Sequence, residues 1–393
     1  MKTSNNIPAY RFQGYTDAWE LRRFSELAEI RRGLTYSPTS IRKEGIRVLR
    51  SSNIDEDTFT FGEDDVFVDK WVVKIPLVKE GDILITAANG SSRLVGKHAI
   101  IKYLPANSAI HGGFMLLASC RNPEFVNSLM SSAWYTKFIN LYVAGGNGAI
   151  GNLNKNDLDE QNVLVPNPKE QSAIGSFFST LDRHITLHQR KLDKLKEQKK
   201  TYLKLLFPAK GQTQPALRFQ GFEDDWEEVK LGEVILKEIK GKAKSEMLGS
   251  AEVYLETEYL NGGTKSFVDC EKDVEEDDIL ILWDGSQAGM VYHGFSGALG
   301  STLKAYRPKE SGKFIYYQLV SQQNLIFEKY RTPNIPHVIK TFTDEFRIFY
   351  SSLPEQEVIG TFFQNLDQAI AQVEDKLASL KEMKKTLLRK LFV

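Results

Sequence analysis

The phrase PAYRFQGYTDAWE, Pro8 to Glu20, returns as PALRFQGFEDDWE, Pro215 to Glu227, and no other feature of this 393-residue chain limits its fold so strongly. A second pair closes each copy. EQSAIGSFFSTLDRHITLHQRKLDKLKEQKKTYLKLLF, Glu170 to Phe207, recurs as EQEVIGTFFQNLDQAIAQVEDKLASLKEMKKTLLRKLF, Glu355 to Phe392, with about half the positions identical. A period this long marks a duplicated domain rather than a solenoid, whose units run to roughly 20–50 residues. The segment between the two markers is shorter in the second copy and shares little of its wording with the first. The frame repeats while the filling diverges.

The closing segments carry apolar residues at spacings of three and four. In the first copy the register reads Ile174, Phe178, Leu181, Ile185, His188, Leu192, Leu195, Lys199, Tyr202, Leu206; in the second it reads Ile359, Phe363, Leu366, Ile370, Val373, Leu377, Leu380, Lys384, Leu387, Leu391. Such a period, held for more than four heptads, predicts a coiled-coil seam and not the face of an ordinary globular helix. Each seam needs a partner, and the other copy is the nearest one of matching length, about 57 Å at 1.5 Å per residue. Proline and a Glu-Gln pair precede both helices, suited to a first turn and to the positive end of the helix dipole. The shared polar interruption, Lys199 and Lys384, fits either a register-fixing polar contact or a snorkelling side chain. His184 and His188 lie four apart on one helical face, but the second copy has Ala369 and Val373 there and no third ligand accompanies them, so His188 is read as a packed seam residue and not a metal ligand.

Between the frame markers, both copies contain short β-type runs bounded by Gly, Asn and Asp. These are GDILITAANG (Gly81 to Gly90) and DDILILWDGS (Asp277 to Ser286), followed by VGKHAIIKYL and MVYHGF. Each copy also carries one helix-like stretch, Pro123 to Ile139 and Gly312 to Phe327. The expected unit is a small mixed domain with a common skeleton and diverged loops.

Catalytic constellations are missing from the sequence. GNGAIG, Gly146 to Gly151, matches a dinucleotide loop by letter, yet about nine polar residues and a short strand follow it, leaving no room for a crossover helix. There is no P-loop, no HExxH, no nucleophile elbow and no Asn-Pro-Pro-Tyr of the kind an amino-methylating enzyme uses; NPEF at Asn122 is a near miss. Cys120 and Cys270 occupy non-equivalent positions and form neither a disulfide framework nor a metal spacing. No apolar run approaches the roughly 18 residues that span a bilayer, and the start MKTSNNIPAY lacks the apolar stretch of a secretory signal. The chain is therefore expected in the cytoplasm, away from membranes.

With 51 basic and 51 acidic residues the net charge is zero, which argues mildly against a nucleic-acid partner unless the charges are segregated. They are segregated. Acidic clusters fall at matching places, Asp55 to Asp65 and Cys270 to Asp278, and basic residues gather elsewhere.

Two variable domains alternating with two near-identical long helices, the GDIL-type strands, and the join GNLNKNDLDEQNVLVPNPKEQSAIGSFFSTLD together resemble the specificity subunit of type I restriction-modification systems. The likeness runs over essentially the whole chain, although the second join, IPHVIKTFTDEFRIFYSSLPEQEVIG, keeps Pro-Glu-Gln and lacks the NKNDL wording. What the resemblance implies is an α+β chain: two mixed α/β target recognition domains, residues 1–166 and 211–352, joined by long antiparallel coiled-coil helices in 167–210 and 353–393, with internal pseudo-twofold symmetry. Each domain would read one half of a bipartite sequence on double-stranded DNA. The chain itself would hold no cofactor. Two modification (methyltransferase) subunits would supply S-adenosylmethionine and adenine N6 methylation, and restriction (motor-nuclease) subunits would supply ATP- and Mg-dependent translocation and cleavage.

On that reading, polar loop residues are the candidate base readers. The loop after GDILI offers Asn89, Ser91, Ser92, Arg93 and Lys97, and its counterpart offers Trp283, Asp284, Ser286 and Gln287. Arg31, Arg32, Arg42, Arg47, Lys242 and Lys244 are candidate phosphate contacts. Phe12, Trp19, Phe219 and Trp226 of the repeated opening phrase are expected to pack against the helix pair. Two rivals stand beside this reading. A self-sufficient methylase or nuclease is disfavoured by the missing motifs, and a coiled-coil adaptor without DNA affinity is compatible with zero net charge.

Overall fold

The acid in GDIL and DDIL explains why the phrase recurs. Asp82 and Asp278 are almost fully buried at the head of strands Ile83–Thr86 and Ile279–Leu282, every residue of which is buried. A carboxylate in that position has to be bonded. Asp82 accepts from the Lys79 N–H at 2.8 Å and from Ser119 Oγ at 2.7 Å, with Arg31 at 3.5 Å. Asp278 accepts from the Glu275 N–H at 2.9 Å and from the Arg307 guanidinium at 2.8 and 2.9 Å. The same turn is closed in both copies, by different neighbours.

The computed structural model describes residues 6–143, 151–209 and 211–392; Gly146 to Ile150 of the glycine-rich phrase lie outside them. The chain divides into two units, Met1–His188 with Lys376–Val393, and Gln189–Asp375. In the first, an antiparallel sheet runs in the order Ala28–Arg32, Met115–Cys120, Ile83–Thr86, His98–Ile100. The second has Ile235–Lys240, Leu303–Pro308, Ile279–Leu282 and Val291–Tyr292 in the same order, again antiparallel. A further sheet in each unit contains one parallel pair, Ala109–His111 with Ile46–Leu49 and Ala298–Leu299 with Leu248–Leu255. Two-stranded ribbons, Glu20–Arg23 with Asn162–Val165 and Glu227–Lys230 with Arg347–Tyr350, tie the start of each domain to its end. The mixed α/β architecture and its duplication are thus those expected.

One expectation is corrected. The helix-like stretch from Pro123 is two helices, Pro123–Met130 and Ala133–Tyr142, and its counterpart is also two, Gly312–Ser321 and Gln323–Lys329. The first break falls at a serine pair. Ser131 Oγ turns back to the Asn127 carbonyl at 3.0 Å and Ser132 adopts an extended backbone, the usual competition of serine with helical hydrogen bonding.

The two long helices span Pro168–Leu205 and Leu353–Leu391. Asn167 Oδ1 caps the first by accepting from the Glu170 N–H at 3.0 Å. Each unit holds the start of one helix and the end of the other. In the first unit Phe178 meets Phe392 with ring centroids 6.1 Å apart, and Asp182 meets Lys384 at 2.8 Å. In the second, Phe363 meets Phe207 at 5.9 Å and Asp367 meets Lys199 at 2.5 Å. Advancing along one helix means retreating along the other, so the pairing is antiparallel within each unit.

Of the seam residues, Ile174, Phe178, Leu181, Leu192, Ile359, Phe363, Ile370, Val373, Leu377 and Leu380 are buried, whereas Ile185, His188, Leu195 and Leu366 are half-buried. The lysine question is decided by geometry. Lys199 and Lys384 each pair with the equivalent aspartate of the facing helix, and Lys384 also reaches Asp57 of the hairpin Ile54–Phe59 at 2.9 Å. Burial alone would lower the Lys384 pKa; the two carboxylates outweigh it and hold the ammonium above its ordinary value.

The opening phrase packs as expected, with an addition. Trp19 stands edge-on to Phe392 at 6.0 Å and Trp226 to Phe207 at 6.3 Å, while Phe12 and Phe219 lie against Phe177 and Phe362 at 5.5 and 5.6 Å. Between these rings Arg11 makes a two-pronged pair with Glu170, both contacts 2.7 Å, and Arg218 repeats it with Glu355 at 2.7 and 2.8 Å. The opening phrase thus fastens each domain to the first turn of its own long helix.

Candidate nucleic-acid interface

At one end of each central sheet three connections meet, and backbone hydrogen bonds hold them in the same pattern. In the second unit the Lys242 and Ala243 N–H groups donate to the Leu299 carbonyl, both at 3.0 Å, and the Trp283 and Asp284 N–H groups donate to Thr302 at 2.8 and 3.2 Å. In the first unit Leu34 donates to His111 at 2.9 Å, and Ala87 and Ala88 donate to Phe114 at 2.9 and 3.1 Å. Both patterns require glycine at one point. A Cβ on Gly33 or Gly241 would lie 1.9 Å from the carbonyl oxygen of Gly112 or Gly300. Beneath the first-unit turn the buried His111 bonds the Arg31 carbonyl at 3.2 Å, and burial brings its pKa down to about 4, so the imidazole is neutral there.

The loop Asn89–Lys97 lies at this end. Arg93 is exposed on the short helical turn Ser92–Leu94, with Ser91 and Ser92 exposed beside it and Lys97 half-buried at its foot. Asn89 uses its amide internally, donating to Ser51 Oγ at 2.9 Å and accepting from the Ser91 N–H at 2.9 Å. It shapes the loop. In the second unit Asp284, Ser286 and Gln287 are exposed, while the half-buried indole of Trp283 is covered by the Lys304 ammonium, 3.5 Å from the ring centroid.

The candidate phosphate contacts separate into two groups. Arg31 donates to Ser119 Oγ at 3.0 Å beside Asp82, and Arg47 pairs with Asp65 between the rings of Phe61 and Phe67, 4.7 and 4.8 Å away. Both are part-buried ion-pair partners within the first unit. Arg42 is exposed but faces Asp69 at 3.6 Å, and exposed Arg32 donates to Asn154 at 3.1 Å. Lys242, Lys244 and Arg93 are exposed with no ion pair among the described residues. Several acids of the two clusters have basic partners within their own unit: Asp57 with Lys384, Asp64 with Arg50, Asp65 with Arg47, Asp278 with Arg307. Zero net charge therefore coexists with unpaired cations at the loop end of each unit.

Sequence reasoning missed several residues at this end. Tyr36, Phe114 and Arg50 border the first-unit loop, and Arg331 donates to the Ser286 carbonyl at 3.2 Å in the second. No periodicity marks them, because they arrive from turns far apart in the chain.

A family model described as the type I restriction modification DNA specificity domain matches residues 16–197 and 223–382. The chain is 33% identical over 180 residues to the type I restriction enzyme MjaVIII specificity subunit of Methanocaldococcus jannaschii, a match covering 43% of this chain and 42% of that protein. It is 24% identical over 287 residues to the StySPI specificity subunit of Salmonella potsdam, covering 68% of this chain and 61% of the relative. Both matches span less than two thirds of the relative's own length. In fold, the chain is similar to the crystal structure of a type I restriction-modification system S subunit from M. genitalium, with a TM-score of 0.69 at 20% identity over 98% of this chain and 99% of that one.

Proposed function

This chain belongs to the type I restriction-modification DNA specificity family, and from that membership we infer that it is the specificity subunit of such a complex, reading a bipartite sequence with residues 1–166 and 211–352 as its two recognition domains. One observation carries the inference furthest: the same backbone pattern gathers three connections at the loop end of both units, with different side chains on it. A fixed support with exchanged loops is what sequence reading by two related modules requires.

Base readout is assigned to Arg93, Ser91 and Ser92 in one half-site and to Gln287, Ser286 and Asp284 in the other, with Lys97, Lys242, Lys244, Arg32 and Arg42 toward phosphates. Two related domains in one chain suit the two half-sites of a bipartite target on a duplex. The outer faces of the repeated helices serve as docking surfaces for two modification subunits. Methyl transfer from S-adenosylmethionine to adenine N6 belongs to those subunits, and ATP- and Mg-dependent cleavage to restriction subunits. The absence of catalytic motifs from the sequence supports this division. No described helix is long and apolar enough to cross a membrane.

The test is salt-dependent binding by the full chain assembled with its modification subunits. Lys242→Ala with Lys244→Ala should weaken binding to specific and random duplexes alike. It should also reduce the slope of log K against log salt by about 0.9 for each phosphate no longer neutralised. An assembled complex with no salt-dependent DNA affinity would leave only the adaptor reading.

A further inference from the structure

The loop ends of the two units share a backbone but not a chemistry. Three residues beyond the close-packed glycine, the second unit has exposed Lys244 and the first has Tyr36; where the second has exposed Thr302, the first has Phe114. Phe114 is 74% exposed although its own carbonyl is fixed by two N–H donors. Around it opens a cleft of about 580 Å³ with walls of Leu34, Tyr36, Pro38, Ile41 and Phe114, and with Asn89 and Gly90 of the reading loop on its rim.

Apolar side chains form most of the cleft wall, with Thr35, Arg50, Ser51 and Asn89 as its polar lining. The cation that lines it, Arg50, gives Nη2 to Asp64, through the carbonyl at 2.7 Å and the carboxylate at 3.1 Å, and its buried Nε has no partner among the described residues. Polar groups brought against apolar walls without partners are penalised. A B-form duplex displays one apolar group at its base edges in the major groove, the C5-methyl of thymine, and phenylalanine is among the side chains that contact it. We propose that this cleft receives the methyl edge of a thymine in one half-site, with Phe114 as the specificity-determining contact. The second unit, with Thr302 in that place, has no such aromatic contact. This proposal rests on the DNA-reading function inferred above.

The experiment uses the full chain assembled with its modification subunits and duplexes in which each thymine of the recognised sequence is replaced singly by deoxyuridine, removing only the methyl. At one position, in one half-site, the replacement should weaken binding about fourfold, the worth of one buried methyl-sized group. Phe114→Ala should bind the thymine and deoxyuridine duplexes equally, and Phe114→Leu should keep most of the difference. Because Phe114 is exposed, these substitutions leave the core untouched. Indifference of the parent complex to every replacement, or a persisting methyl effect in Phe114→Ala, overturns the proposal while leaving the DNA-reading function standing. A parent complex that does not distinguish its sequence from a scrambled duplex removes both.

Discussion

Arg218→Ala is expected to destabilise the second unit by about 3–5 kcal/mol. The glutamate it would abandon, Glu355, has a side chain only 1% exposed and receives both prongs of the guanidinium, at 2.7 and 2.8 Å. Removing the arginine leaves a carboxylate with neither water nor a counter-charge, and that orphaned charge makes up most of the loss. Replacing both partners, Arg218→Met with Glu355→Leu, should cost far less, since the pair's own attraction is largely offset by its desolvation. Arg11→Ala should do the same to the first unit through Glu170, which is also 1% exposed. Denaturant titration with hydrogen exchange resolved to each unit distinguishes the two variants. A loss below about 1 kcal/mol would mean that the pair behaves like a solvated surface bridge.

Gln287→Ala should lower affinity for one half-site by about 5- to 150-fold and leave the other half-site unchanged, the range for a bidentate contact worth roughly 1–3 kcal/mol. The loop is preset for this. The Gly289 N–H donates to Leu282 at 2.7 Å, Ala288 to Gly285 at 2.9 Å, and Gln323 Nε2 to the Gly289 carbonyl at 2.7 Å, so little ordering cost falls on binding. The Gln287 amide itself is exposed and has no hydrogen-bond partner among the described residues. A glutamine so placed can address adenine N6 and N7 together. Arg93→Ala should show the same selectivity on the opposite half-site, toward guanine. Competition binding against duplexes altered in one half at a time reads both. Equal loss on specific and random DNA would make either residue a phosphate contact.

The frame was legible because duplication writes it twice. Seam periodicity placed the long helices, and the GDIL-type runs located the central strands, since both follow from burial patterns local in sequence. Long-range pairing was less visible. Arg11 could not be assigned to Glu170, nor Arg31 to Asp82 and Arg47 to Asp65, without knowing which carboxylates the fold brings beside them. The helix stretch after Pro123 was read as continuous because Ser131 and Ser132 carry only weak breaking signals, which tertiary packing decided. At the candidate interface, the loops named from sequence lie where the connections meet, but Phe114, Tyr36 and Arg331 reach that end from turns far from them. Which loop side chains stay free depends on neighbours such as Ser51, which engages Asn89, and Lys304, which covers Trp283.

The most direct test of the two-reader account is single-molecule methylation mapping of DNA from cells expressing this chain with its modification partner. The account requires modified adenines in one split motif with a fixed gap, each half altered independently by loop substitutions in one unit. An unmodified genome, with the partner shown to be active beside another specificity chain, would contradict it, as would a single uninterrupted motif.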